Sequence, residues 1–378
     1  MSGLPRRLES RGAPVFAWST TLHRDTERQL TRVAEQPWVA HHVAAMPDAH
    51  VSEGIAVGTV FATRDEVVPG ALGGDLGCGV AALRFAAEAS AVPRVALERV
   101  LRGWTQRIPV GDERHRRSWA GVALSGELST RDLEHTRRRL EPRDLGTLGG
   151  GNHFLELDRS HDGGLWLLVH SGSRGLGAVI GRHHLRAAGG PLGSLPLATE
   201  PGAACLHDVE WALRFARANR DELLRVATEV VAHELAVSPE PDTHLDVHHN
   251  FAAREEHFGE SLLVHRKGAI AAPVDQLALI PGSMGTASYL VRGLACELAF
   301  RSASHGAGRV LTRREARARI APRRLEQQLR RVVFDSTRME SLVEEAPTAY
   351  RDIAEVLDDE VDLVSAVLRL EPLVVLKG

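Results

Sequence analysis

The sequence predicts an α+β fold: a single large domain, covering residues 1–378, with central β-sheets and flanking helices. Several short segments rich in apolar and β-branched residues are bounded by glycine or charged residues, as strands are. One long stretch has its apolar residues at helical spacing. Strands and helices do not alternate strictly, which favours α+β over a doubly wound parallel sheet. No linker rich in Gly, Ser or Pro divides the 378 residues, so we expect one domain.

The predicted elements follow from these patterns in chain order. Strands are expected over residues 54–61, 81–85, 154–157, 165–169 and 261–264. Helices are expected over residues 92–101, 209–235 and 357–368, and the long helix should end at the proline-containing stretch 238–242. Residues 371–376 form a terminal apolar run. We expect this run to dock as a strand, because its side chains have no other place to be buried.

The composition excludes several classes of protein. Hydrophobic residues make up 43% and charged residues 25% of the chain, as in ordinary globular proteins. No run of about 18 apolar residues could span a membrane, and no apolar segment of a secretory signal follows Arg6 and Arg7. Cys78, Cys205 and Cys296 are far apart and odd in number, which argues against a disulfide framework. We therefore expect a cytoplasmic enzyme or binding protein with no membrane partner.

Charge is segregated near the end of the chain. The formal net charge of −3 gives no global signal for nucleic-acid binding. Nine arginines nevertheless lie in residues 309–331, and nine acidic residues lie in residues 340–362. Two interpretations remain open: two solvated faces that partly pair, or a basic face that follows the phosphates of a nucleic acid.

Residues 70–79 (GALGGDLGCG) place Asp75 and Cys78 three positions apart in a glycine-rich turn. Glycine allows tight turns and close approach of a ligand, so both side chains can face one point. A thiolate with a carboxylate suits a borderline divalent cation such as Zn²⁺, Mn²⁺ or Fe²⁺. The competing interpretation is that Cys78 is a small packed residue between glycines.

Two further glycine loops present histidines at strand ends. Residues 146–153 (GTLGGGNH) place Asn152 and His153 before a predicted strand, and residues 166–177 (WLLVHSGSRGLG) place His170 at the end of the next one. The Gly/Ser/Arg turn after His170 resembles a nest for phosphate oxygens. A histidine at a strand end is usually satisfied by a backbone carbonyl, but the repetition of the pattern favours a metal site.

The densest histidine cluster is HLDVHHN at residues 244–250. The case for a metal site depends on Asp75, Cys78, His153, His170 and one member of the pair His248/His249. Five donors exceed a tetrahedral site with an open position, so two ions that share the thiolate fit better.

Two last motifs suggest chemistry at phosphorus. Residues 281–285 (PGSMG) form a turn that offers backbone N–H groups and Ser283, and residues 302–309 (SASHGAGR) present His305 on a glycine loop. From the residues alone, His305 could be a metal ligand, a general base or a nucleophile toward phosphorus.

Together and in this order, these segments resemble the RtcB family of GTP-dependent RNA ligases. The resemblance spans nearly the whole chain. It implies an RtcB-type catalytic domain and a Mn²⁺-dependent reaction that joins RNA 3′-phosphate or 2′,3′-cyclic phosphate ends to 5′-hydroxyl ends, in tRNA splicing or RNA repair. The motifs that carry it are MPDAH (46–50), GGDLGCG (73–79), LGTLGGGNHFLE (145–156), HSGSRGLG (170–177), HHN (248–250), HRKGA (265–269), PGSMGTASY (281–289), SHGAGR (304–309) and VLKG (375–378).

The resemblance also implies roles for individual residues. Two Mn²⁺ ions would be bound by Asp75, Cys78, His153, His170 and His249, with Cys78 bridging them. His305 would attack the α-phosphorus of GTP to form a histidine–GMP phosphoramidate, and the GMP would pass to the RNA 3′-phosphate. Contacts to the nucleotide would come from Asn152, Glu156, Asn250, Ser283, Ser288, Ala307, Gly308, Tyr350 and Lys377.

Three positions depart from the usual pattern of the family. Ser52 and Glu53 stand where Gly and Lys or aromatic residues are common, and Gly74 stands where a β-branched residue is usual. Two other functions could use the same residues. A metal-dependent phosphoesterase would use the donors with water as the nucleophile, and a nucleotide-binding regulator would use the glycine loops without turnover. Lys377 argues against the hydrolase, which needs no guanine contact at the end of the chain.

Overall fold

Two large β-sheets form the centre of the fold, and helices pack around them. The structure, a computed structural model of the chain, describes residues 4–116 and 124–378. The predicted fold class is confirmed: the architecture is mixed α+β, with several sheets and flanking helices.

The strands range from two to fourteen residues in length. In chain order they are β1 Arg6–Leu8, β2 Val15–Ala17, β3 Ala40–His50, β4 Val57–Thr63, β5 Glu66–Val67, β6 Gly79–Glu88, β7 Phe154–Ser160, β8 Gly164–Ser171, β9 Leu195–Pro196, β10 Pro239–His248, β11 Asn250–His257, β12 Glu260–Lys267, β13 Ala269–Ala271, β14 Leu277–Ile280, β15 Ser288–Gly293, β16 Ser302–Ser304, β17 Val333–Phe334 and β18 Val364–Lys377.

The helices differ widely in length. Those within the described residues are α1 Arg24–Ala34, α2 Arg94–Arg107, α3 Arg131–Asp144, α4 Arg174–Ala187, α5 Glu200–Leu235, α6 Arg313–Arg319, α7 Pro322–Gln328, α8 Met339–Leu342 and α9 Ile353–Asp359. None of the helices in this part of the chain combines the length and the apolar character needed to cross a bilayer.

The two large sheets are mainly antiparallel. The first has the strand order β1-β2-β3-β4-β12-β11, with β2 and β3 parallel. The second has the order β10-β6-β8-β7-β18-β15-β14, and β17 pairs with β18 in parallel. Antiparallel neighbours need no helical crossover between them, which explains why helices and strands do not alternate along the chain.

The long helix α5 supports the second sheet. Its apolar side chains share a buried cluster with those of β7, β8 and α2. The helix predicted over residues 209–235 is confirmed, but it begins earlier, at Glu200. Thr199 caps it, because the Thr199 side chain accepts a hydrogen bond from the Gly202 N–H. Pro201 is tolerated in the first turn, where an N–H would have no helical partner.

The other predicted elements fall mostly where expected. The helix at 92–101 lies within α2, and the strands at 81–85, 154–157, 165–169 and 261–264 lie within β6, β7, β8 and β12. These segments are short and bounded by turns, so their apolar character gave a clear signal.

One predicted boundary and one predicted helix are wrong. The strand expected over residues 54–61 begins only at Val57, after a turn in which Gly54 has a φ of 75°. The helix expected over residues 357–368 does not form: α9 ends at Asp359, and β18 begins at Val364 and pairs with β15. The apolar spacing there suits either period, and pairing in the sheet decides between them because β18 satisfies its backbone on both sides.

The terminal apolar run docks as predicted. Residues 371–376 belong to β18, which lies between β7 and β15 in the second sheet. Val375 and Leu376 are each 1% exposed. Lys377 is thereby held opposite Phe154 of β7.

The basic and acidic segments near the end of the chain pair in part. Arg309 Nη1 lies 3.1 Å from Glu345 Oε1, and Arg313 Nε lies 3.4 Å from the same oxygen. Arg323 and Arg324 are exposed and form no ion pair with any residue that the structure describes. Arg309 and Arg313 therefore have a structural role. Arg323 and Arg324 remain available for a partner at the surface.

Candidate functional site

A cavity of about 520 Å³ is lined by strand ends of the second sheet and by loops that follow strands of the first. All five residues that the resemblance assigns to metal binding line it, together with His305. They are Asp75, Cys78, His153, His170 and His249.

Four of these donors lie where neighbouring strands of the second sheet begin or end. The strands β10, β6, β8 and β7 are successive antiparallel neighbours, so the end of one lies beside the start of the next. Cys78 and His153 immediately precede β6 and β7, whereas His170 and His249 lie at the ends of β8 and β10. Antiparallel pairing thus gathers donors that are far apart in the sequence.

The donor atoms form two groups that share the Cys78 sulfur. In one group, Cys78 Sγ lies 3.3 Å from His170 Nε2, which lies 3.4 Å from His249 Nε2. In the other, Cys78 Sγ lies 3.5 Å from His153 Nε2, which lies 3.1 Å from Asp75 Oδ2. Within each group all donor atoms lie within 4.8 Å of one another.

Backbone carbonyls fix the orientation of two of the imidazoles. His153 Nδ1 lies 2.8 Å from the Leu148 carbonyl oxygen, and His170 Nδ1 lies 3.2 Å from that of Asn152. A carbonyl only accepts, so each Nδ1 carries a proton, and the Nε2 of His170 keeps its lone pair toward the cavity. Burial lowers the pKa of His170 and of His249 well below the ordinary value, so both rings are neutral and able to bind a metal.

The charges of Asp75 and Cys78 depend on their surroundings in opposite ways. Burial acts to raise the pKa of Asp75, but hydrogen bonds from His153 and Ser173 outweigh it, so the net shift is downward and the carboxylate stays ionised. Burial, reinforced by Asp75, raises the pKa of the Cys78 thiol well above its ordinary value. A bound divalent cation would reverse this by stabilising the thiolate. Thiolate, carboxylate and imidazole together fit a pair of borderline cations.

His249, and not its neighbour His248, faces the cavity. His248 Nδ1 accepts a hydrogen bond from Arg220 Nη2 at 2.8 Å, and burial lowers the pKa of His248 to about 4. The structure therefore brings His249, and not His248, into the candidate donor group, and its role as a metal ligand stays a prediction.

Helix α5 holds the loops that carry the donors. Arg220 is fully buried, and its Nη1 donates to the carbonyl oxygens of Gly77 at 2.7 Å and Ser171 at 3.0 Å. Its Nε donates to Asp246 Oδ1 at 2.6 Å. The adjacent Asn219 side chain bonds to the backbone of one further loop, at Gly146 and Thr147, and to that of Gly172, next to Ser171. The donor loops are thus fixed by buried contacts that are separate from the donors themselves.

His305 is held by a buried carboxylate from the first sheet. Its Nδ1 lies 2.6 Å from Asp48 Oδ2, and its backbone N–H donates to the same oxygen at 3.2 Å. Asp48 lies in β3 and is fully buried. The contact at Nδ1 leaves Nε2 available for other partners. The ring centroids of His305 and His249 are 4.9 Å apart, so His305 lies directly beside the donor cluster.

Gly308 allows this close approach of the His305 loop to β3. Its φ is 69°, in the left-handed region that favours glycine. A Cβ at this position would lie 2.5 Å from the Asp48 carbonyl oxygen. A side chain at residue 308 would therefore displace the carboxylate that holds His305.

Seven of the nine residues expected to contact the nucleotide line the same cavity. They are Asn152, Asn250, Ser283, Ala307, Gly308, Tyr350 and Lys377. The other two do not line it. Glu156 is buried within β7, where burial raises its pKa to about 8 although Lys377 opposes the shift. The Ser288 hydroxyl accepts a hydrogen bond from the Gly282 N–H at 3.3 Å.

Lys377 belongs to a buried network at one end of the cavity. Its Nζ donates to the Asn152 carbonyl oxygen at 2.9 Å and lies 3.6 Å from Glu345 Oε2. The Tyr350 hydroxyl donates to the same Glu345 oxygen. Burial lowers the pKa of Lys377, while Glu345 acts in the opposite direction. The last residues of the chain are therefore a fixed part of the site.

Lys267 is the other lysine of the chain, and it also lines the cavity. Its Nζ donates to the carbonyl oxygens of Ile55 at 2.7 Å and Glu53 at 3.2 Å. Burial lowers the pKa of Lys267 to about 8. A lysine in this state is a chemically reasonable rival to His305 as a nucleophile.

The sequence did not identify several residues that shape the site. Asp48 stands within the MPDAH motif, but nothing in its spacing pointed to His305. Arg220 and Asn219 occupy the buried face of α5, and a polar pair among apolar helix positions is the signal that could have revealed them. Glu345 lies within an acidic run that looked like an ordinary solvated face.

Comparisons with known proteins identify the family to which the chain is similar. The chain matches the family model described as tRNA-splicing ligase RtcB over residues 29–129 and 120–378. It is 34% identical to the RNA-splicing ligase RtcB of Escherichia coli (strain K12) over 409 residues, covering 98% of this chain and 99% of the relative. It is 33% identical to the protein of the same name from Mycobacterium tuberculosis over 433 residues, covering 93% and 100%. Identity to the tRNA-splicing ligase RtcB of Thermococcus kodakarensis is 31% over 439 residues, covering 93% and 91%.

Proposed function

Because this chain belongs to the RtcB family, we propose that it is an RNA ligase that joins 3′-phosphate or 2′,3′-cyclic phosphate ends to 5′-hydroxyl ends with GTP. Its substrates would be cleaved tRNA in splicing or other broken RNA in repair. We further propose that residues 1–378 act as one catalytic domain, since the cavity takes residues from both large sheets.

The observation that carries this proposal is the position of His305. A histidine held at Nδ1 by a fully buried carboxylate lies beside a double set of metal donors in one cavity. A hydrolase with the same donors would use water as its nucleophile, so there His305 could act only in proton transfer. A nucleophile toward phosphorus needs both: a free ring nitrogen and nearby positive charge to offset the phosphates.

The donors fit two Mn²⁺ ions that share one ligand. Asp75, Cys78 and His153 would hold one ion, and Cys78, His170 and His249 would hold the other. Bound there, the ions would supply positive charge that offsets the triphosphate and polarises its phosphorus.

In the first step, the proposed role of His305 is nucleophilic. Its Nε2 attacks the α-phosphorus of GTP, a P–N bond forms, and the bond to the β-phosphate breaks with release of pyrophosphate. Asp48 holds the proton on Nδ1 and stabilises the positive charge that develops on the ring.

In the later steps, the GMP moves from His305 to an RNA 3′-phosphate, and the P–N bond is exchanged for a phosphoanhydride. The 5′-hydroxyl oxygen of the second strand then attacks the former 3′-phosphate, and GMP leaves. A 2′,3′-cyclic phosphate has to be hydrolysed to the 3′-phosphate before this sequence begins.

The proposed nucleotide contacts surround this reaction centre. Lys377 would donate to the O6 and N7 acceptors of guanine, whereas adenine presents an amino group at the O6 position. Asn152, Asn250, Ser283, Ala307, Gly308 and Tyr350 line the cavity at positions suited to phosphate, ribose or base. Glu156 and Ser288 lie outside the cavity lining, so they would reach the nucleotide only after a local rearrangement.

The proposal is tested by following the fate of the terminal phosphate. An RNA strand with a ³²P-labelled 3′-phosphate is incubated with a 5′-hydroxyl strand, Mn²⁺, GTP and the protein. We expect a longer product in which the label has become resistant to phosphatase, and a much lower yield with ATP. Release of the label as inorganic phosphate would instead indicate a phosphoesterase, and GTP binding without any product would indicate a regulator.

A further inference from the structure

A second cavity adjoins the first. It is a cleft of about 280 Å³ between the loop that precedes Asp75 and the helix α4. The two cavities share four wall residues: Ser52, Gly73, Gly74 and Lys267. Among the described residues that line the cleft, none is a proposed metal donor or nucleotide contact. The cleft is therefore continuous with the site but separate from its GTP-binding part.

Gly74 stands where the two cavities join, and neither packing nor backbone geometry requires a glycine there. No heavy atom lies within 4 Å of the place that its Cβ would occupy, and its φ is not in the left-handed region. At the neighbouring Gly73, by contrast, a Cβ would lie 2.6 Å from the Asn250 side chain. A side chain at residue 74 would project into open space and narrow the passage.

The walls of the cleft suit a small anionic ligand. Lys267 uses two of its three N–H groups on backbone carbonyls, which leaves one for a ligand. Arg182 of α4 is exposed at the cleft and forms no ion pair with any described residue, and the Glu53 carboxylate is the opposing charge nearby. The cleft is close to the lower limit of about 300 Å³ for ligand pockets, which fits one nucleotide and not a duplex.

We propose that this cleft binds the terminal nucleotide of an RNA substrate strand, and that Gly74 keeps the passage from the cleft to the donor cluster open. The inference rests on the proposed ligase function, which supplies the RNA end. Continuity with the main cavity favours this occupant, because an RNA end must meet the reacting phosphate beside Asp75 while GTP occupies the Lys377 side.

Two substitutions narrow the cleft from opposite walls. Gly74→Val adds a side chain at the junction, and Gly181→Leu adds one on α4, where a Cβ would have its nearest neighbour 4.0 Å away. Leucine also has a better helix propensity than glycine, so this variant should fold well. Ala187→Val, at an exposed position of α4 outside the cleft, is the matched control.

Three reactions are measured for each variant: formation of the protein–GMP adduct, guanylylation of an RNA 3′-phosphate, and joining of a pre-guanylylated RNA to a 5′-hydroxyl strand. We expect adduct formation within twofold of wild type and a KM for one RNA strand raised at least tenfold. Impaired guanylylation would assign the cleft to the 3′ end, and impaired joining alone would assign it to the 5′-hydroxyl end.

The proposal is overturned if both cleft variants process both RNA strands with wild-type KM. It is also overturned if adduct formation falls as much as the RNA steps, since the cleft would then belong to the GTP site. A wild-type protein that forms no adduct at all would instead contradict the ligase function itself, so the two failures can be told apart.

Discussion

Two neighbouring parts of the main cavity are held in place by different means. In the donor cluster, buried contacts from Arg220 and Asn219 of α5 fix the loops that carry the candidate metal donors. Beside this cluster, the His305 side chain and backbone N–H are both held by one carboxylate, Asp48. The donor cluster therefore has a support that is independent of the donors, whereas the His305 side chain depends on a single residue.

This difference predicts which substitutions change the stability of the fold and which change the reaction. Removal of a donor should leave the support intact, so the fold survives while metal is lost. Removal of a supporting residue such as Arg220 should lower both the stability of the fold and the affinity for metal. Removal of Asp48 should affect the reaction chiefly, because the loop of His305 keeps its other contacts, including the Ser304 N–H donated to Glu360 Oε2 at 2.9 Å.

The largest effect is expected at the donor that both groups share. Cys78→Ala should lower ligation at least about 10³-fold, because both sites lose a ligand, and should reduce bound Mn²⁺ from two ions to fewer than one. The thermal midpoint should change little. Cys205→Ala, which removes a buried thiol that does not line the cavity, is the control and should keep both metal and activity. Wild-type ligation by Cys78→Ala in metal-controlled buffer would refute the shared ligand.

The support of His305 is tested by Asp48→Asn. The amide can donate as well as accept, so it can stabilise the wrong tautomer of the ring, and we expect adduct formation to fall about 10²- to 10⁴-fold. Binding of GTP and Mn²⁺ should be retained. Asp132→Asn, at an exposed position of α3, makes the same chemical change away from the site and should have no effect. Loss of metal binding in Asp48→Asn would show that the donor cluster and His305 are not held independently.

The support of the donor cluster is tested by Arg220→Ala. This change leaves Asp246 buried without its main partner, which should cost about 3–5 kcal/mol in the free energy of unfolding and weaken Mn²⁺ binding as well. Arg217→Ala is a close control: its Nε lies 3.6 Å from the same carboxylate, but the side chain is 61% exposed, so the cost should stay below about 1 kcal/mol. Denaturant unfolding and metal titration measure both quantities. Equal costs for the two variants would contradict the account of the support.

The smallest effect is expected for the exposed arginines of α7, which do not line the cavity. Reversal of Arg323 and Arg324 to Glu should weaken RNA binding severalfold and reduce the slope of log affinity against log salt by about 1.4. Adduct formation should persist. A variant with Arg32 and Arg102, exposed on α1 and α2, reversed to Glu carries the same change in net charge. If the two variants lose equal affinity, the effect is one of net charge and not of this surface.

The candidate donors could be picked out because each lies beside a glycine, serine or asparagine turn, and the structure brings their donor atoms together. His153 and His170 also lie at strand ends, so both were selected without knowledge of distant parts of the chain. Metal binding by these residues stays a prediction. The choice between His248 and His249 could not be made, since it depends on Arg220, which lies 28 residues earlier in the chain than His248. Asp48 was missed for the same reason: its partner His305 is 257 residues away.

The error over residues 357–368 has a related cause. Apolar and acidic residues there allow a helix or a strand, and the outcome is decided by β15, whose pairing edge the local pattern does not reveal. The terminal run was easier to interpret, because residues 371–376 are apolar enough to require burial wherever they dock.

His305 is proposed to carry GMP as a covalent intermediate, and this adduct can be captured. Protein incubated with GTP labelled at the α-phosphate and with Mn²⁺ should retain the label after denaturation, in a bond that is stable to alkali and labile to acid. Mass spectrometry should place the adduct on His305, and His305→Ala should bind GTP but retain no label. An adduct on Lys267, or full ligation by His305→Ala, would contradict the account.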